Sequence, residues 1–520
     1  MPKLYPQESM LALSKSRLTL LFCFALAALL IYEGGWAART HPLGHDLVSY
    51  LVEAERFLAG AQLYGPQISE TNPPLIIWFS ALPVALAPVL HVTETTAFYF
   101  IQYAMVFATL AWSLRILRKQ NLLRGPSLVL LATAILFVDL PKWLSLFGQR
   151  ENLLLICILP YLLALGFQVI PRLSRSERCL VGALAGLGVC FKPQQLFILV
   201  VVEIAVLIYT RSLRHLLSAE LLSAVLACVA YTGVVVLCAP LYFSQELPLL
   251  LDAYWAIGRF STAHLALRQW PGVLAVIVIA WATRRFLKSS AARFPIWLLL
   301  AASFGATVVY ILQHTAWGYQ LYPAIALLTL AVVILFLQIA APHWEKFDAP
   351  PTRLWSLLLI PLALFIVIEL RIPTPPMPQD YPALANLAPG STVYIFSTEV
   401  EMVSASYARN LKWGSRFMHL WMMPAIQRTA ANRPPGSPFK ALSPQTIAKL
   451  SDTQRGDTAE DLNRWKPTLV LIESCPCSHL AGDFDYLAWF SEDARFRRSW
   501  APYQRQPDIP GFTVYRRAGN

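Results

Sequence analysis

Residues 45–74 read HDLVSYLVEAERFLAGAQLYGPQISETNPP, and this stretch decides how the rest of the chain is laid out. Leu47, Tyr50, Leu51, Ala54, Phe57 and Leu58 recur at helical spacing, Ser49, Glu53 and Arg56 fall on the other face, and Gly60 supplies a stop. The spacing predicts a short amphipathic helix of the kind that lies along a membrane surface. Leu63-Tyr64-Gly65-Pro66 reads as a turn, and Asn72-Pro73-Pro74 fixes the backbone before an apolar run opens at Leu75. The result is a polar, carboxylate-bearing loop in a chain otherwise built for a bilayer. A carboxylate held at a membrane surface is the first place to look for chemistry.

The surroundings of that loop are apolar. Of 520 residues, 56% are hydrophobic and 14% charged, and the mean hydropathy is +0.51, which indicates a polytopic membrane protein. The net charge of +12 comes largely from short Lys/Arg clusters between apolar runs, the positive-inside pattern, so a nucleic-acid partner is set aside. Six of the eight cysteines (Cys23, Cys157, Cys179, Cys190, Cys228, Cys238) lie in or beside apolar runs and read as packing residues. Cys475 and Cys477 flank a single proline, a spacing that makes a strained disulfide or half a metal site, and they receive no role.

Charge parity sets the topology. If residues 75–90 cross, the next span delivers Arg115, Arg118, Lys119 and Arg124 to the outside; the run is short and carries Pro83 and Pro88, so it reads as a re-entrant or in-plane helix. The spans then fall near 18–36, 95–115, 126–141, 152–170, 179–191, 195–210, 215–240, 271–286, 294–312, 319–340 and 354–370, about eleven crossings. The first is read as uncleaved, with its amino end in the cytoplasm. Pro373, Pro375, Pro376 and Pro378 form a stiff linker after Arg371. The expected fold is mainly α: a polytopic helix bundle over 1–371, with an outer loop at 37–94, followed by a small extracytoplasmic α/β domain over 372–520. Within the latter, 392–396 and 468–472 read as buried strands and 459–465 as a helix.

The candidate chemistry gathers in the outer loops. Asp46 is read two ways: as the amino cap of its helix, bonding a backbone amide, or as a general base, with His45 beside it and Glu70 and Asn72 at the far end of the loop. Glu33, near the outer end of the first span, is read either as wetted by interfacial water or as part of the site. Gln149-Arg150-Glu151 opens a span and Lys192-Pro193-Gln194-Gln195 joins two others. Arg150 and Lys192 stand at outer helix ends, against the positive-inside bias. An Arg fork and a Lys point charge suit a phosphate; the plainer reading pairs them with Glu151 or lipid headgroups. Gln313-His314-Thr315-Ala316-Trp317-Gly318-Tyr319-Gln320 is a polar, aromatic hairpin. An interfacial belt accounts for Trp317 and Tyr319 alone, whereas His314, Gln313 and Gln320 around them suit a sugar ring.

His45-Asp46-Leu47, Phe57-Leu58-Ala59-Gly60, Leu63-Tyr64 and Pro73-Pro74-Leu75 together resemble the glycosyltransferase C superfamily, which includes protein O-mannosyltransferases and lipid A aminoarabinose transferases. The resemblance extends in layout over roughly residues 15 to 370. It implies a sugar donor linked to polyprenyl phosphate, with Asp46 as base, Arg150 and Lys192 at the donor phosphate, and an inverting displacement. His45, Glu70, Asn72, Gln149, Gln194, His314, Trp317, Tyr319 and Gln320 would line the sugar or acceptor side. Several members carry a second acidic residue in the next outer loop, where this chain offers Asp139 and Glu151. The implied partners are the polyprenyl-linked sugar, membrane lipid, and a glycan, lipid or protein acceptor, in the bacterial inner membrane. A divalent metal stays open, since some members bind one and no ligand spacing here decides it. The competing class is a transporter or flippase, against which stand the absence of an internal repeat and of paired broken helices. A third reading is an assembly protein that only displays the carboxy-terminal domain. The enzyme reading requires Asp46, Arg150 and Lys192 to converge on one outward-facing cavity with a lipid-accessible groove leading to it, whereas a transporter needs a path towards both faces.

Overall fold

The computed structural model describes residues 43–118, 126–140, 147–258, 260–344, 382–398, 401–427, 442–474, 480 and 484–519. Glu33, the expected first and last spans, the proline linker, and Cys475 with Cys477 lie outside the described residues.

The chain is a helical membrane protein with a small mixed sheet near its carboxy end. Its bundle comprises α1 (His45–Leu58), α2 (Leu75–Leu90), α3 (Glu94–Arg118), α4 (Pro126–Asp139), α5 (Arg150–Gly166), α6 (Arg175–Cys190) and α7 (Leu196–Thr210). It continues with α8 (Ala219–Cys238), α9 (Leu247–Ala253), α10 (Thr262–Arg268), α11 (Trp270–Phe286), α12 (Ser290–Gln313) and α13 (Gly318–Trp344). Each expected span within the described residues coincides with one of these helices. Among the described residues five segments are long and apolar enough to cross a bilayer, or six if the bent pair α10–α11 counts as one. Residues 75–90 form a single 16-residue helix with both prolines inside it.

Two features of the bundle place the site. Every residue of α5 is buried, because α3, α4, α6, α12 and α13 all pack around it. The amino end of α5 is therefore a buried end. Next to it, α6 and α8 meet at backbone contact: a Cβ on Gly182 would lie 1.8 Å from the Glu220 carbonyl oxygen, and one on Gly186 2.3 Å from that of Ala224. The glycines that make residues 179–191 a weak span by sequence are what let these two helices approach so closely.

The sheet contains β1 (Thr392–Phe396), β2 (Lys412–Trp413), β3 (Leu469–Glu473), β4 (Tyr503–Ile509) and β5 (Phe512–Arg517), in the order β2-β1-β3-β5-β4. β1 runs parallel to β2 and β3, whereas β5 is antiparallel to both β3 and β4. Side chains alternate along a strand, so β1 and β3 serve two cores at once. Val393, Ile395, Leu469 and Leu471 join the core that runs on into the bundle. Tyr394, Phe396, Val470 and Ile472 point into a second, aromatic core with Trp421, Phe490 and Phe496. The helix expected over 459–465 is far longer, α15 (Pro444–Trp465), with α14 (Glu401–Ala408) preceding it. Ser443 caps α15 by accepting from the Thr446 amide. Its exposed polar face gave no apolar period to read.

The amphipathic reading of α1 needs correction. Its whole run from Leu47 to Ala54 is buried, Ser49 and Glu53 included. One side packs on the bundle, and α14 covers another. Arg56 donates to the carbonyls of Gln67 (2.9 Å), Ser415 (2.7 Å) and Trp413 (2.5 Å) and stacks over Trp465 at 4.6 Å. The polar face thus meets the carboxy-terminal segment rather than lipid headgroups.

Candidate active site

Asp46 lies in the first turn of α1, and Gly44 occupies the cap position without a side-chain bond. The cap reading of Asp46 therefore fails, and its carboxylate gains only the favourable end of the helix dipole. What it does bond is α5. Gln149 Nε2 donates to Asp46 Oδ2 at 3.1 Å, and Arg150 Nη2 stands 3.9 Å from the same oxygen. His45 Nε2 lies 3.4 Å from the other oxygen. Burial alone would raise the Asp46 carboxyl, but His45, Arg150 and the Gln149 amide together hold it below its usual 3.8. It is ionised at neutral pH.

The turn before α5 aims Gln149 and Arg150. Gly148 has φ +83°, and a Cβ there would sit 2.3 Å from the Phe98 ring, so no other residue is accommodated without displacing α3. The Asn152 side chain accepts from the Gly148 amide (3.0 Å) and donates to the Asp139 carbonyl (3.0 Å), locking the turn to the end of α4. Arg150 is then 5% exposed, its guanidinium lies 5.7 Å from the Tyr50 ring centroid, and its Nε has no partner. A buried guanidinium with an unpartnered Nε and one loose ion pair keeps the capacity to bond an anion.

Lys192 differs: it is ion-paired with Glu151 and lies over the Tyr319 ring at 5.5 Å. The plainer reading of Lys192 is thus realised, while Arg150 keeps free valence. Asp46, Arg150 and Lys192 are neighbours, but of the three only Asp46 lines the cavity that opens beside the 45–74 stretch. Of the two candidate second acids, Glu151 is spent on Lys192, and Asp139 is buried with both carboxyl oxygens unpartnered.

Other expected residues separate into those that reach the site and those that do not. Glu70 and Asn72 do: Glu70 Oε1 accepts from the Asn72 amide at 2.8 Å and from its side chain, and Asn72 Nδ2 continues to the Tyr50 hydroxyl at 3.4 Å. Tyr319 reaches it through Lys192. Gln194 is exposed, and it is Gln195, 1% exposed with its amide unpartnered, that turns inward. The three-residue 3-10 turn Pro193–Gln195 separates their side chains by about a third of a turn. His314 is spent on the loop itself, its Nδ1 2.9 Å from the Phe260 carbonyl, and Gln320 Oε1 accepts from Thr315 at 2.6 Å. Trp317 packs against the aromatic core. His314 and Gln320 brace the hairpin, while Trp317 stays half-buried and stacks on Tyr319 at 5.8 Å.

A cavity of about 350 Å³, counting its open mouth, lies between the 45–74 stretch and the carboxy-terminal segment. Asp46, Tyr50, Glu70 and Asn72 line one side, and Met418, His419 and Trp421 the other. The second wall was missed by sequence reasoning. It is held in place by Arg416, whose side chain pairs with Asp457 (3.0 Å), Glu460 (2.6 Å) and Asp461 (2.8 Å) on α15, and whose carbonyl accepts from the Ser69 amide at 3.2 Å. Burial pulls the His419 imidazole down to about 4 against the opposing pull of Asp46, so it is neutral. The available signal was the run Arg416-Phe417-Met418-His419-Leu420-Trp421, aromatic and basic yet without helix or strand period. Glu53, behind this wall, has neither carboxyl oxygen partnered; burial and then Glu70 hold it well above the carboxylate range. Among the described residues no group of three or more His, Cys, Asp or Glu has the arrangement of a metal site.

No protein-family model matches the chain, and no curated protein does. Among solved structures it is similar to ArnT from Cupriavidus metallidurans, bound there to undecaprenyl phosphate, with a TM-score of 0.54 and 12% identity over 95% of this chain and 97% of that one. It is also similar to the arabinofuranosyltransferase AftD from Mycobacteria, with a TM-score of 0.49 and 13% identity over 96% of this chain and 40% of that one. At such identities the first likeness is one of fold: the chain has an ArnT-like fold.

Proposed function

We propose that this chain is an integral membrane glycosyltransferase that moves a sugar from a polyprenyl-phosphate donor to an acceptor hydroxyl at the outer face of a bacterial inner membrane. The observation that carries this reading is Arg150: a buried guanidinium with an unpartnered Nε, 3.9 Å from an ionised carboxylate. One site then offers a cation for a departing phosphate and a base for an incoming hydroxyl. That ArnT holds undecaprenyl phosphate on the same fold supports a polyprenyl-linked donor. The lipid tail stays in the bilayer, and the phosphate and sugar meet the protein at the interface.

In this scheme the acceptor oxygen attacks the anomeric carbon as the bond from that carbon to the phosphate oxygen breaks. The electron pair leaves with the polyprenyl phosphate, the hydroxyl proton goes to Asp46, and the anomeric centre inverts. A carboxylate this acidic is a weak base in the ground state. It takes the proton late, once the hydroxyl is bonding to carbon and has itself become acidic. Arg150 stabilises the charge that grows on the leaving phosphate, with Lys192 acting on it through Glu151 or by release from that pair. Residues 1–371 form the catalytic bundle and 372–520 an extracytoplasmic domain, with the amino terminus in the cytoplasm. The acceptor is a glycan, lipid or protein.

The test is transfer of radiolabelled sugar from a panel of polyprenyl-phosphate sugars in proteoliposomes. Asp46→Asn, still folded and inserted, is expected to lower transfer by about a hundredfold or more. Undiminished transfer would remove Asp46 from the chemistry.

A further inference from the structure

The cavity between the 45–74 stretch and the carboxy-terminal wall has an unusual hydrogen-bond balance. Three of its donor groups are already spent inside the protein, and its two carboxylates meet no cation in the lining. Ser49 Oγ donates to the His45 carbonyl (2.9 Å), Thr71 Oγ1 to Glu70 (3.2 Å), and Asn72 Nδ2 to Glu70 and Tyr50. What these groups still present is lone pairs, and the carboxylates of Asp46 and Glu70 add more. The lining contains no Lys or Arg. The nearest cation, Arg150, is bound to the Asp46 side chain from α5 and is taken by the donor phosphate in the mechanism above. On the opposite wall the indole Nε1 of Trp421, a residue 1% exposed, has no partner, and His419 faces the same space.

An occupant of such a cavity must bring its own O–H donors and little or no negative charge. A phosphate or carboxylate supplies acceptors where acceptors already crowd, and places an anion beside two carboxylates. A sugar ring supplies several O–H donors for the carboxylates and lone pairs of the lining. We infer that this cavity is the acceptor subsite and that it takes an uncharged, polyhydroxylated acceptor, a sugar ring bearing no phosphate or carboxylate on the unit that enters. The assignment rests on the glycosyl-transfer reading for the word acceptor, but the cavity's selectivity is independent of it. The carboxy-terminal segment is then part of the acceptor site, not an appendage to it.

Binding can be read without a known donor. Saturation-transfer NMR on the full chain in detergent, with methyl glucoside and methyl mannoside against glucose 6-phosphate, tests the charge rule directly. At least one neutral glycoside should receive saturation, and glucose 6-phosphate should bind about tenfold more weakly or not at all. Ser69 lies half-buried at the cavity lining and its hydroxyl makes no described bond, so Ser69→Trp fills the space with little cost to the fold. The glycoside signal should vanish in Ser69→Trp and persist in Ser69→Ala, both checked for an unchanged melting temperature. Equal or tighter binding of glucose 6-phosphate, a glycoside signal indifferent to Ser69→Trp, or no glycoside signal at all would overturn the assignment. Glycoside binding in a protein that transfers from no donor would sink the enzymatic reading and leave the cavity's selectivity standing. Transfer to a phosphate-bearing acceptor would do the reverse.

Discussion

Arg150 and Arg416 are both buried, both near the same cavity, and built in opposite ways. Arg416 is saturated: three carboxylates of α15 hold its side chain, its amide donates to Asp461 at 2.8 Å, and its carbonyl anchors Ser69. Arg150 has one carboxylate at 3.9 Å and an idle Nε. A cation that only builds structure is surrounded until its donors are used. A cation kept for a substrate is buried and left incomplete, a standing cost that the bound anion relieves. The same contrast separates Lys192, closed on Glu151, from Arg150 one residue before that glutamate.

The comparison breaks if stability does not follow it. Arg416→Met leaves Asp461, which is fully buried, without its cation and is expected to cost about 3–5 kcal/mol. Arg150→Met takes one cation from Asp46, which keeps His45 and Gln149, and is expected to cost clearly less than Arg416→Met. Thermal melts of the two variants in the same detergent decide it, and a large loss for Arg150→Met would make it a structural arginine after all.

Lys192 sharpens the contrast. Lys192→Met alone strands Glu151, 1% exposed, and should destabilise by a similar amount. Adding Glu151→Leu should recover most of that loss, because both charges are then gone. Transfer measured in the stable double variant separates roles: activity within about tenfold of wild type makes Lys192 a brace, and a loss of about a hundredfold makes it a second phosphate cation.

The smallest effect expected is a pH dependence from the opposite wall. The unfolded chain protonates His419 near 6.5, whereas the folded chain does so only near 4, since burial outweighs the pull of Asp46. Between those values the unfolded state binds more proton, so the His419 contribution to stability is intact above 6.5 and is lost as pH falls toward 4. His419→Gln should flatten the fall in melting temperature across that window and change little at pH 7.5. Parallel curves for variant and wild type would mean that the imidazole titrates normally.

The readable parts of this molecule were those fixed by local pattern. Helix spacing placed the described helices, and two cations standing against the positive-inside bias pointed to the end of α5. The unread parts depend on distant partners. Arg56 looks like a solvent-facing residue of an amphipathic helix until its bond to Ser415, 359 residues away, is seen. Gln194 and Gln195 differ by one position in a 3-10 turn, a phase that hydrophobicity cannot fix when both are polar. His419 and Trp421 sit in a segment with no period at all. They are positioned through Arg416 by acidic side chains on α15, whose polar face likewise carried no apolar signal.

The measurement that bears most directly on the central claim is the affinity of the purified chain for undecaprenyl phosphate, followed by native mass spectrometry in wild type, Arg150→Met and the Lys192→Met/Glu151→Leu pair. If Arg150 is the incomplete cation that awaits a phosphate, Arg150→Met should weaken binding by about tenfold or more while melting well above Arg416→Met. Equal affinity in wild type and Arg150→Met would contradict it, and with it the division between the two arginines.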